Sequence, residues 1–127
     1  MHRILFTALA ALAVFGCSPK VDQAEALDFG TCHAVAIALA KNPSSAQIPH
    51  VRPWTDGKGR VEYSWRHGDG LAFANGFGAL IDTRLSCVLQ DGVLHTVLID
   101  GTQVHGERFN ALARAAERYR ERSQRQP

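Results

Sequence analysis

The sequence predicts an α+β fold: an N-terminal helix packed on a three- to four-stranded antiparallel sheet, followed by a basic C-terminal helix. Three observations point there. Cys32, Val35, Ala36 and Leu39 recur at the i, i+3, i+4, i+7 spacing of one helical face. From Arg60 the period changes to two, with Val61, Tyr63 and Trp65 alternating against Glu62, Ser64 and Arg66. Residues 108–127 return to a helical period, with Phe109, Leu112, Ala113, Ala116 and Tyr119 on one face. The chain has 127 residues, 46% of them hydrophobic and 20% charged, with formal net charge +2, which suits one small globular domain. Collagen-like, low-complexity and wholly disordered classes are excluded.

The order of elements begins with a leader. His2 and Arg3 precede an apolar run over residues 4–15. A membrane-spanning helix needs roughly 18 apolar residues, whereas a signal-peptide core needs about 7–15, so the run reads as an export signal. No other apolar run of that length follows, which excludes a multi-pass helical membrane protein. The ending Val14-Phe15-Gly16-Cys17 resembles the lipobox of bacterial lipoproteins, although Phe15 stands where a small residue is usual. The resemblance implies cleavage before Cys17 and acylation of its thiol, a palmitate-type anchor. Each buried acyl CH₂ contributes about 0.8 kcal/mol, so a multiply acylated cysteine holds a protein on a bilayer without a helix. Ser18 in place of Asp implies the outer membrane, periplasmic face. The alternative is an ordinary cleaved signal with a free cysteine beside it.

Export frames Cys32 and Cys87. They are an even pair in an oxidising compartment, with no CxxC or Cys/His cluster to claim them for a metal, so a disulfide is expected. Two buried free thiols are the competing reading. The domain limits expected are 1–16 signal peptide, 17–27 polar tether, 28–107 helix plus sheet, and 108–127 Arg-rich amphipathic helix. Asp28 or Thr31 is placed to cap the first helix, and Pro43 stops it. Gly68-Asp69-Gly70 interrupts the first strand as a bulge or a turn. Asn75-Gly76 and Asp91-Gly92 supply hairpin turns. A strand over 79–89 turns Ile81, Leu85, Cys87 and Leu89 inward, and residues 93–99 form the next strand. Cys87 then lies on the core face, where the helix bearing Cys32 packs. Residues 49–53 carry no pattern that decides between strand and loop.

Lys41-Asn42-Pro43-Ser44-Ser45-Ala46 and Asn75-Gly76-Phe77-Gly78-Ala79, with Trp54 and Cys87, resemble a loose group of small exported bacterial proteins of unknown function. The similarity spans roughly residues 32–90. It implies fold and export but no activity, and it implies a bulge at Gly68-Asp69-Gly70 with Phe77 packed beneath the Asn-Gly turn.

Catalytic patterns are weak. His33, His50, His67, His95 and His105 form no HExxH or other metal spacing, so no metal and no cofactor is expected. His67 and Asp69 flank a glycine and could approximate an acid-base pair, but a surface histidine explains them as well. Ser44-Ser45 lacks the G-x-S-x-G nucleophile elbow. Asp56, Glu62, Asp69, Asp82 and Asp91 fall where turns and outward strand positions put acids anyway. The reading is therefore not an enzyme but a binding or structural module of the cell envelope. Its expected partners are the membrane, through Cys17, and an envelope protein or cell-wall material, through Trp54; no nucleic acid is expected, since no strand interleaves aromatic and basic residues. Trp65, alternating with Val61 and Tyr63, is expected in the core. Two other readings stay open: an inhibitor or immunity-type lipoprotein that plugs a toxic envelope enzyme, and a small hydrolase using the histidines.

The six Arg of residues 108–127 stand against only Glu117 and Glu121. They make either a solvated helix face or a surface for anionic membrane or an acidic partner. Mass spectrometry of the mature N-terminus is expected to find Cys17 first in the chain and acylated; an unmodified Cys17 contradicts the anchor.

Overall fold

The computed structural model describes residues 20–74 and 77–125; Cys17 and the Asn75-Gly76 turn lie outside the described residues. The fold is α+β. Helix α1 (Lys20–Leu39) leads, a 3-10 turn (Pro43–Ser45) follows, and seven short strands precede helix α2 (Gly106–Arg125). The strands are β1 (Trp54–Thr55), β2 (Arg60–Trp65), β3 (Ala72–Ala74), β4 (Leu80–Asp82), β5 (Leu85–Gln90), β6 (Val93–Ile99) and β7 (Thr102–Gln103). The main sheet is antiparallel in the order β1-β2-β5-β6-β7, and β3 pairs with β4 in a separate hairpin. The expectation of three or four strands is thus corrected to five plus two.

Helix α1 starts at Lys20, not at Asp28 or Thr31, so residues 20–27, expected as a polar tether, are helical. Gln23, Ala24, Glu25, Ala26 and Leu27 are good helix formers that need no apolar period to stay helical. The Tyr63 hydroxyl also donates to the carbonyl of Glu25 at 3.1 Å, which holds that turn on the sheet. Burial, with Asp28 and Glu25 nearby, raises the Tyr63 pKa and keeps the hydroxyl protonated as a donor.

The expected continuous strand over 79–89 breaks at Thr83-Arg84. There the Thr83 N–H donates to the Leu71 carbonyl, while the Arg84 N–H donates to the Asp100 carboxylate and the Arg84 carbonyl accepts from the Asp100 N–H, so neither residue is available to one straight ladder. Ile81, expected inward, is 51% exposed on β4. Gly68-Asp69-Gly70 is a turn and not the bulge that the family resemblance implied: both glycines have positive φ, and the Asp69 carboxylate accepts the Arg66 N–H at 2.7 Å. Phe77, expected beneath the neighbouring turn, is exposed. Asp91-Gly92 behaves as read, with φ of 51° and 81° closing the β5–β6 hairpin.

The core lies between one sheet face and the two helices. Tyr63 opposes Cys87, which opposes Val97, so all three point to the same side and none is exposed. Leu94 and Val97 both point inward although they are three positions apart. A bulge makes this possible: Val88 pairs with Thr96 but Leu89 with Leu94, leaving His95 as the extra residue. Val35 and Ala36 of α1 and Leu112 and Ala116 of α2 complete the cluster. Full burial of each large apolar side chain contributes about 1.5–3 kcal/mol.

Cys32 and Cys87 form a disulfide that joins α1 to the central strand β5, with Cα atoms 5.8 Å apart and a sequence separation of 55. Helix α2 also docks, and its anchor is polar. Arg120 donates to the Asp28 carboxylate at 2.9 Å and to the Thr31 hydroxyl at 3.1 Å. Thr31 in turn donates to the Leu27 carbonyl, so the chain of bonds runs from α2 into the α1 backbone. The helices approach closely where Gly30 lies under the Tyr119 ring; a Cβ there would meet the phenol oxygen at 1.8 Å.

Opening the disulfide by a Cys32→Ala, Cys87→Ala double substitution is expected to cost about 4 kcal/mol on the chain-entropy scale. Denaturant unfolding with and without reductant measures it, and the reductant should leave the double variant unchanged. Arg120→Ala is expected to cost about 1–3 kcal/mol, between the values for exposed and buried pairs, because it strands Asp28 at a half-covered site. An unchanged midpoint would show that α2 is held by its apolar face alone.

Candidate functional site

The helices cover one face of the main sheet. On the other face lie Arg60, Glu62 and Ser64 of β2, Ser86 and Val88 of β5, and Thr96 and Leu98 of β6, and no helix packs there among the described residues. The alternation of β2 decides this: its apolar residues go to the core and its polar residues to the opposite side. Strand β1 joins the edge with Trp54 opposite Glu62, which sets the indole on the polar face. Trp54 is 57% exposed.

Beside Trp54 lies an open groove of about 830 Å³. Arg52, Arg60 and Arg66 line it together with Asp56, Glu62 and Asp69, and Ser64 forms part of its floor. Ser64 bridges the strands, with its hydroxyl 3.3 Å from a Glu62 carboxylate oxygen and 3.2 Å from the Ser86 hydroxyl. Two of the acids are partly committed to the backbone. Asp56 accepts the N–H groups of Lys58 and Arg60, and Asp69 accepts that of Arg66, so each closes a turn at one end of the groove. Glu62 and the three arginines give an extended ligand hydrogen-bond acceptors and donors within reach of one flat aromatic surface.

The other tryptophan differs. Trp65 is 1% exposed on the core side, and its indole N–H donates to the Pro49 carbonyl at 2.8 Å. That bond also fixes the otherwise patternless segment before β1. Residues 49–53 form no strand; only Trp54–Thr55 does.

The sequence-level catalytic candidates separate in space. His67 lies against Asp82 and not against Asp69, its neighbour in the chain, and the His67 side chain is 85% exposed. Ser44 and Ser45 donate to the side chain and carbonyl of Asn42, so N-P-S-S builds a local turn. His50 packs on Phe29, with ring centroids 4.5 Å apart, and His95 pairs with the Thr96 hydroxyl at 2.7 Å. Among the described residues no three His, Cys, Asp or Glu side chains come together as a metal site.

Sequence reading missed Arg52, Arg60, Glu62 and Arg66 as companions of Trp54. The outward alternation of β2 carried the signal for three of them; the pairing of β1 with β2 did not show. It also missed β7, although Asp100-Gly101 is the same turn dipeptide as Asp91-Gly92 and takes the same positive φ angles. No helix among the described residues is long and apolar enough to cross a membrane. No protein-family model matches the chain, and neither a curated protein nor a solved structure is significantly similar to it.

Proposed function

We propose that the chain is a lipid-anchored protein of the periplasmic face of the bacterial outer membrane, acting as a non-enzymatic binding module whose ligand surface is the groove at Trp54. The anchor rests on the leader and Val14-Phe15-Gly16-Cys17. The observation that carries the binding reading is Trp54 itself, a large aromatic left more than half exposed at a sheet edge beside three arginines and three carboxylates. An indole flanked by buried-capable arginines is the composition of interface anchors, where Trp and Arg dominate binding energy. The mixed charge of the groove favours an extended polar partner, an envelope protein or cell-wall material, over a purely anionic or apolar one.

Capture from detergent-solubilised envelope tests the site. The wild-type chain is expected to retain a partner that Trp54→Ala loses, while the stability of the variant changes by less than about 0.5 kcal/mol, as for other exposed substitutions. Trp65→Ala, the buried counterpart, is expected to destabilise by about 3–5 kcal/mol. Recovery of the same partner by wild type and Trp54→Ala removes the groove from the account. A partner that proves to be an envelope hydrolase silenced by the chain makes the module an inhibitor.

A further inference from the structure

We infer that the outer ridge of α2 is a second membrane contact, a site for the phosphate groups of anionic phospholipids. Arg114, Arg118, Arg122 and Arg125 fall at i, i+4, i+8 and i+11, a single stripe on the side of α2 opposite Leu112 and Ala116, which are buried. All four are exposed, and none makes an ion pair or side-chain hydrogen bond among the described residues. Arg120, on the inner side, is the one that α2 uses to hold α1.

A groove of about 470 Å³ runs beside the stripe, between the two helices. Ala34, Ile37 and Ala115 give it an apolar floor, Arg118 and Arg122 stand at its rim, and no carboxylate lines it. His33 and Tyr119 also line it, and burial pushes the His33 imidazole below its ordinary pKa, which leaves the arginines to set the charge. An apolar floor under fixed cations matches a phospholipid, whose chain and phosphate meet at one depth, better than it matches an acidic peptide.

The pairing of the helices gives the stripe its direction. Asp28 meets Arg120 and Gly30 meets Tyr119, while Ala34 and Ile37 share their groove with Ala115, so one index falls as the other rises and the helices are antiparallel. One lipid signal combined with a basic patch is the arrangement that makes attachment stable. This inference adds to the proposed anchoring but does not require the acyl chain.

The test uses residues 17–127 with Cys17→Ser, which carries every described element and neither acyl group nor leader. Sedimentation with vesicles of phosphatidylglycerol and phosphatidylcholine is compared with phosphatidylcholine alone. Binding is expected only to the anionic vesicles and is expected to weaken as salt shortens the screening length. The Arg118→Gln, Arg122→Gln variant should bind about 30-fold more weakly, at about fivefold per charge, with an unchanged melting temperature. Equal binding to both vesicle types, or wild-type affinity in the variant, overturns the site. So does capture of an acidic envelope protein by the stripe in the absence of vesicle binding. Failure here leaves acylation of Cys17 to be read separately from the mass of the native N-terminus.

Discussion

The bond between Cys32 and Cys87 sets the distance and rotation of the helix layer over the sheet, and the remaining contacts are arranged around it. It joins the middle of α1 to the middle of the central strand, so both partners are fixed about their own midpoints. With Cys32 held, Val35 and Ala36 fall on the same apolar surface, and Asp28 and Thr31 are carried to the place where Arg120 reaches them. A domain with a core of this size has little surplus stability. Removing a constraint worth about 4 kcal/mol would consume much of it. The stability of the domain therefore depends on conditions that keep this bond oxidised.

Covering one sheet face with both helices leaves the other without a helix against it among the described residues. Trp54 and Trp65 show how register makes that division. Trp65 follows the inward alternation of β2 and is closed over, its indole N–H taken by Pro49. Trp54, opposite Glu62, inherits the outward orientation of Glu62. The helix layer is likewise two-sided. Its inner side carries the one cation, Arg120, that closes the fold, and its outer side carries the stripe of four that the fold does not use. The proposed membrane contact and the proposed ligand groove thus lie on different sides of the sheet.

What the sequence disclosed was local. The helical face of Cys32, Val35, Ala36 and Leu39, the alternation from Val61 to Trp65, and the Asp91-Gly92 turn each depend on residues a few positions apart, and each is present. The pairing of Cys32 with Cys87 was legible because assigning Cys17 to the expected lipid leaves an even pair of cysteines. The failures have physical causes as well. Strand β6 breaks strict alternation because His95 is inserted at a bulge. The run over 79–89 is cut where Leu71 and Asp100 compete for its backbone groups. Docking of α2 rests on Arg120 and Asp28, which are 92 residues apart. The Trp54 groove was visible only as a single aromatic, because its polar companions are gathered by pairing of β1 with β2.

The central claim is that one covalent staple holds the helix layer to the sheet. Peptide mapping of the native protein, with free thiols alkylated before extraction and no reductant added, examines that claim directly. The account predicts a single linked fragment containing Cys32 and Cys87. Separate alkylated fragments for the two cysteines would contradict it.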